Sequence, residues 1–216
     1  SEDSCTIPRC ATAPEVHMTL LAPDDTVLAP QDIFARVCPS TVTVACTLGG
    51  GKTSIGLLNG HSERILPLAQ TMTACGIDCT VSNEVKCQIW NKLFLNTAAS
   101  SLTAVLQVPL GFILEDPHAC AIMEKMAKEA VAVANAEGIA HFDEASVISD
   151  IKTVLKNAKG GYTSIYADIR DGNRTEVDTI SGSVVDAAKE LGVPVPCHEI
   201  VVSLIHAMED KAVANK

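Results

Sequence analysis

A chain of 216 residues holds material for one large hydrophobic core or two small ones. Its residues are 47% hydrophobic but only 3% aromatic, so the interior must be aliphatic, built on Ala, Val, Leu and Ile. A net charge of −10, with no Lys/Arg cluster to offset it, argues against a nucleic-acid or anionic-membrane partner.

No apolar run approaches the roughly 20 residues that span a bilayer, and the opening SEDSC has neither region of a secretory signal. A soluble, cytoplasmic protein is expected. The cysteines, at positions 5, 10, 38, 46, 75, 79, 87, 120 and 197, are odd in number and irregular in spacing. Cys75 and Cys79 make a close pair, but no second pair or neighbouring His completes a zinc set. Reduced, mostly buried thiols and no metal site are expected.

Residues 1–40 show scattered prolines and no sustained period, which predicts loops with one short helix. Gln31–Val37 is a candidate second short helix, stopped by Pro39. Val42–Cys46 alternates and is β-branched, as in a strand. Gly49–Gly56, GGGKTSIG, looks like a phosphate loop but is not a Walker A motif, because Cys46 stands where its first Gly is needed. A glycine-rich turn leading into a strand over Thr53–Leu58 is the better reading. Ile65–Cys75 reads as a helix stopped by Gly76, and Ile77–Val81 as another strand. Residues 41–84 thus look like the tail of an α/β domain.

From Glu84 the pattern is helical almost throughout, and the boundary falls near residues 82–88. In Gln88–Leu106 apolar Ile89, Trp90, Leu93, Phe94, Ala98, Leu102 and Val105 recur at helical intervals, predicting a well-buried helix. Steps of four put Lys92, Asn96 and Ser100 on one face. Asn and Ser are indifferent mid-helix residues, so the row is either a set of donors aimed at a ligand or a polar stripe against solvent.

Further helices are predicted over Pro117–Ala136, stopped by Gly138, and from Asp143 as cap to about Lys159. Ser164–Arg170 and Thr175–Leu191 follow, the second ended by Gly192, and Pro196 opens a last helix to about Asp210. Adjacent helices with short joins make a bundle. Ser164, Asp168 and Glu176 form a second polar set among apolar Ile165, Ile169 and Val177. Taken alone, Ser164 can equally be a helix cap and Glu176 a first-turn acid favoured by the helix dipole.

Both sets fall in one longer pattern. W-x-K-x-x-x-N at Trp90, Lys92 and Asn96 precedes S-x-x-x-D-x-R-x-x-x-x-T-E-x-D-x-I-x-G from Ser164 to Gly182, then G-V-P-V-P at Gly192–Pro196. In this order and spacing, over residues 41–213, the chain closely resembles the ketopantoate reductase (2-dehydropantoate 2-reductase) family. The resemblance implies an α/β plus all-α architecture. Residues 1–84 would be an incomplete dinucleotide-binding, Rossmann-like part. Residues 85–216 would be a helical substrate and catalytic domain like the C-terminal domain of 6-phosphogluconate dehydrogenase.

It further implies NADPH-dependent reduction of the 2-keto acid ketopantoate to pantoate, on the route to pantothenate and coenzyme A. By position Lys92 resembles the general acid that protonates the C2 carbonyl oxygen, a task suited to a group that is cationic at neutral pH. Glu176 resembles its acidic partner; Asn96, Ser100 and Ser164 resemble substrate-holding residues. A small-molecule substrate and a homodimer are the partners such a protein would have.

Two departures stand out. Ser100 occupies a place where many family members carry a second Asn, and no G-x-G-x-x-G nucleotide turn occurs anywhere in the chain. The cofactor-binding residues are therefore unassigned. A truncated or degenerate relative acting as a non-catalytic helical ligand-binding domain, or a reductase of a related 2-keto acid, are the alternatives.

Overall fold

The computed structural model describes residues 5–7, 16–18, 20–21, 27–28, 53–57, 62–74 and 77–214, the first four segments by their backbone alone. The candidate helix over 31–37, the strand Val42–Cys46, the glycines at 49–51 and the Gly76 stop lie outside the described residues. The chain divides into two compact units, Ser1–Val85 and Lys86–Lys216.

In the first unit, β1 (Cys5–Ile7) pairs antiparallel with β2 (Val16–Met18), and β3 (Leu20–Leu21) with β4 (Val27–Leu28). At these described positions short ladders stand where loops were expected. Their apolar and β-branched residues suit a pleated surface despite the nearby prolines. β5 (Thr53–Ile55) then pairs in parallel with β6 (Cys79–Val81), in register Thr53 with Cys79.

A parallel pair needs a crossover. A 3₁₀ turn (Ser62–Ile65) and helix α1 (Leu66–Ala74) supply it. Ser62 fastens this crossover: its Oγ accepts from Leu57 N–H at 3.0 Å and its own N–H donates to Asn83 Oδ1 at 3.2 Å. At Gly56 the chain passes so close to the strand exit that a Cβ would lie 2.3 Å from Ser82 O. No larger residue fits there.

The second unit is helical. α2 (Val85–Leu95), a π turn (Asn96–Ser100) and α3 (Ser101–Leu106) form one continuous rod, because Leu95 and Ser101 both keep α-helical dihedrals. Gln107 ends it in the left-handed region at φ 55°, its Nε2 donating to Ala104 O at 2.7 Å. The single uniform helix expected over Gln88–Leu106 is corrected here: it starts earlier and is widened in the middle. Ile89 is also 48% exposed rather than buried.

A one-turn helix, α4 (Phe112–Glu115), was not expected. α5 (Pro117–Ala136) follows, capped by Asp116, whose carboxylate accepts from His118 and Ala119 N–H, with Pro117 suited to the first helical position. α6 (Glu144–Asn157) starts from the expected Asp143 cap, which accepts from Ser146 N–H at 2.8 Å. α7 (Ser164–Asp171) is capped by Thr163, not by Ser164. The helix expected from Thr175 begins as a second π turn (Asp178–Gly182), closed by Gly182 N–H to Val177 O at 2.9 Å, and continues as α8 (Ser183–Leu191). α9 (Pro196–Ala214) ends the described chain.

The core forms around α5, whose Met123, Met126, Ala127, Ala130, Val133 and Ala134 are fully buried. The aromatic contribution is small and local. Phe94 meets Phe142 edge-on at 5.0 Å and Trp90 at 5.6 Å, and Trp90 Nε1 donates to Glu137 Oε2 at 2.6 Å. That bond ties α2 to the end of α5. Leu155, Ile165 and Val177 are fully buried on the side that carries the polar residues, each contributing about 1.5–3 kcal/mol. Among the described cysteines Cys79 is buried and Cys87, Cys120 and Cys197 are partly buried, all as free thiols.

Candidate active site

The two π turns lie against each other through buried hydroxyls. Ser181 Oγ is 2.9 Å from Thr97 Oγ1 and 2.7 Å from Ser101 Oγ, and all three side chains are fully buried. A buried hydroxyl needs a partner, so this trio fixes how the rod α2–α3 meets the start of α8. π turns inside α-helices recur at functional sites. Here one carries Asn96 and Ser100, and the other begins two residues after Glu176.

A second hydroxyl chain fixes α7 to the first π turn. Thr103 Oγ1 donates its one proton to Ser100 O at 2.8 Å, so across the 3.0 Å contact Thr163 must be the donor to Thr103. Thr163 Oγ1 then accepts from Tyr166 N–H at 3.2 Å, completing its cap. Gly111 brings in the last wall. Its N–H donates to Lys159 O at 2.9 Å, and a Cβ there would come within 2.6 Å of Lys159 Cβ. The adjoining Leu110 is held by its own N–H to Gly161 O at 3.0 Å.

These constraints border an open cavity of about 240 Å³ within the second unit. Its polar lining is Asn96, Ser100, Thr163, Ser164 and Glu176, and its apolar walls are Leu95, Leu110, Val154, Leu155 and Ile180. Apolar walls with a few convergent polar groups are what a small-ligand site has, and the volume lies below that of drug-sized sites. Ser164 Oγ donates to Glu176 Oε1 at 3.0 Å.

Four of the five residues given a site role from sequence, Asn96, Ser100, Ser164 and Glu176, line this one cavity, whereas Asp168 of the second polar set does not. Lys92, one turn before Asn96, does not line it. Its side chain is exposed and makes no ion pair among the described residues. Thr163 was missed, although a Thr directly before a helix start is a cap signal. The apolar walls from α6 and the loop at Leu110 had no signal in the sequence.

The lining carries one carboxylate and no cation. Glu176 therefore disfavours an anionic group beside it and favours a hydroxyl or another donor. The neutral donors of Asn96 and Ser100 are free to meet a carboxylate or a carbonyl. Among the described residues no cluster is placed to hold a metal ion, and no helix is long and apolar enough to cross a membrane.

Residues 84–209, more than half of the chain, match the family model described as "Ketopantoate reductase PanE/ApbA C terminal". The chain belongs to the ketopantoate reductase family. A 2-dehydropantoate 2-reductase of Halobacterium salinarum is 30% identical over 191 residues, covering 87% of this chain and 59% of that protein. The crystal structure of a PanE/ApbA family ketopantoate reductase from Ralstonia eutropha JMP134 is 29% identical with a TM-score of 0.65, covering 76% of this chain and 53% of that one. A D-mandelate dehydrogenase in ternary structure with NADH and anilino(oxo)acetate is 25% identical with a TM-score of 0.65, covering 76% and 54%. The family is one of oxidoreductases. The chain thus spans between half and two thirds of the relatives it matches, and the helical second unit has the fold expected from sequence.

A nicotinamide cofactor needs a backbone-donor cradle for its pyrophosphate. The described part of the first unit does not fit that need. The hollow beside α1 is lined by Gln70, Thr73 and Thr80 among apolar residues such as Leu66, Ala69 and Val81, with no basic side chain to meet a phosphate.

Proposed function

We propose that the second unit is the substrate-binding and proton-donating part of a 2-keto acid reductase, with ketopantoate as substrate and pantoate as product, in pantothenate and coenzyme A biosynthesis. The observation that carries this reading is the convergence of Asn96, Ser100, Ser164 and Glu176 on one small cavity with apolar walls. Asn96 and Ser100 hold the keto-acid carboxylate. Ser164 and Glu176, already joined by their hydrogen bond, take the hydroxyl end of the ligand, where a carboxylate acceptor is favoured and a second anion is not.

Lys92 is the proton donor to the carbonyl oxygen in this reading, and Glu176 is its acidic partner. From an exposed position on α2 a lysine reaches a bound ligand by its flexible four-carbon stem. In the family the reduction draws on a nicotinamide, here expected to be NADPH. No described residue is assigned to hold it, residues 1–84 being the incomplete dinucleotide-binding part and 85–216 the substrate domain. A cytoplasmic, homodimeric protein is the matching expectation.

Two observations favour a second reading, a ligand-binding helical domain without redox chemistry: Lys92 does not line the cavity, and the sequence has no nucleotide turn. Calorimetry separates the two. The 216-residue chain is titrated with pantoate, ketopantoate, benzoylformate and NADPH. Binding of pantoate or ketopantoate in preference to benzoylformate, with NADPH weak or silent, supports the substrate assignment. Binding of none of the three acids removes it, and micromolar NADPH binding shows a cofactor site in residues 1–84.

A further inference from the structure

Glu176 stands in an irregular stretch that is held from outside. Glu209 on α9 is a carboxylate only 3% exposed. Its Oε1 accepts from the backbone N–H of Thr175 at 2.7 Å, and its Oε2 lies 3.1 Å from His206 Nδ1. His206 Nε2 lies 3.0 Å from Asp178 Oδ1, and the Arg174 guanidinium reaches Glu209 Oε2 at 3.7 Å. Thr175 and Asp178 are the near neighbours of Glu176 on either side. Among the described residues, the other helix that gives this stretch a side-chain bond is α7, through Ser164.

The chemistry of the imidazole sharpens this arrangement. Both ring nitrogens face carboxylates, which only accept. A neutral imidazole donates from one nitrogen, so both contacts are hydrogen bonds only when His206 is protonated. The charged groups facing it are Asp178 from the π turn and Glu209 from its own helix, with Arg174 approaching the same Glu209 oxygen, Oε2, at 3.7 Å.

We propose that Glu209 and His206 are positioning residues for Glu176, pinning Thr175 and Asp178 to α9 so that the Glu176 carboxylate is held in the cavity, with the full clamp formed only while His206 is protonated. This rests on the assignment of Glu176 to the site. Neighbouring acids, Glu209 first, raise the His206 pKa above its ordinary value even against partial burial. The protonated clamp is therefore complete at mildly acidic pH and loosens as pH rises through that raised value.

The test is NMR on the isotopically labelled 216-residue chain, from about pH 5.5 to about pH 8.5. The Glu176 carboxyl carbon and the Thr175 amide are expected to shift with the midpoint of the His206 ring. In His206→Gln that shared inflection disappears while the fold persists. Glu209→Ala is expected to speed Thr175 amide exchange at least about tenfold, and Glu209→Gln to restore protection, because its amide oxygen still accepts from Thr175. A Glu176 signal that titrates identically in wild type and His206→Gln overturns the proposal, and that comparison decides it even if Glu209→Ala does not fold. Pantoate titrated in the same samples tests the ligand separately. If pantoate leaves the wild type unperturbed while Glu176 follows His206, the substrate assignment fails and the clamp stands.

Discussion

Ser164 Oγ donates to Glu176 Oε1 at 3.0 Å, joining the first turn of α7 to a stretch twelve residues further on that has no regular structure of its own. The bond leaves the second carboxylate oxygen of Glu176 free for a ligand and fixes the direction of the Ser164 hydroxyl. Both residues line the cavity with Asn96 and Ser100.

Ser164→Ala removes a neutral donor on an exposed pair, worth about 0.5–1.5 kcal/mol. Pantoate affinity should fall roughly tenfold or less, with the urea midpoint unchanged. Calorimetry beside urea denaturation checks this. A large loss of stability would mean that Ser164 serves the fold rather than the site.

Much of this arrangement is legible in the residues, and the exceptions have a common cause. α5 ends where its Pro and Gly signals put it, and Asp143 caps α6, because those boundaries depend on local chemistry. The two π turns do not. Asn96–Ser100 and Asp178–Gly182 are widened where Thr97, Ser101 and Ser181 meet 80 or more residues apart in sequence, and no local propensity encodes that meeting. Ser164 was readable as a cap, yet Thr163 takes that place because Thr103 offers it a buried acceptor. Glu209 and His206 gave no signal, since their role depends on α9 returning beside Thr175.

Ser181 tests the link between the π turns. Ser181→Ala leaves two fully buried hydroxyls without their shared partner. An unsatisfied buried group costs about 1–3 kcal/mol, reduced here to the extent that Thr97 and Ser101 turn back to a carbonyl of the preceding turn. Urea denaturation should show a loss of about 1–3 kcal/mol. A neutral result would mean the π turns do not depend on this trio.

The stability of the helical unit should depend on pH through α9. Burial works against the charged form of Glu209, but its hydrogen bonds from Thr175 and His206 outweigh this and lower its pKa. Its contribution is present above the ordinary carboxylate range, about 4.3, and is lost as pH falls through the lowered value. His206 is raised, so its contribution is complete below about 6.5 and is lost as pH rises through the raised value. Urea midpoints should therefore be highest between those limits and decline on the alkaline side. His206→Gln should flatten that alkaline decline; an unchanged decline in the variant would place its origin elsewhere.

Lys92 separates chemistry from binding. It is exposed and adds nothing to the core, so Lys92→Ala should leave the urea midpoint and pantoate affinity nearly unchanged. In a chain that also carries a working nucleotide-binding part, kcat with ketopantoate should fall by at least about 10²–10⁴, the usual worth of a general acid. Near-normal kcat would show that Lys92 is not the proton donor.

The most direct measurement is the map of amide and side-chain shifts on titrating pantoate into the labelled chain. The largest changes should fall on the Asn96 side-chain amide, on Ser100 and Ser164, and on the Glu176 carboxyl carbon, with smaller ones on Leu110 and Ile180 of the cavity wall. Saturable shifts confined to residues outside this set, with Asn96 and Glu176 unmoved, would contradict the assignment of this cavity as the keto-acid site.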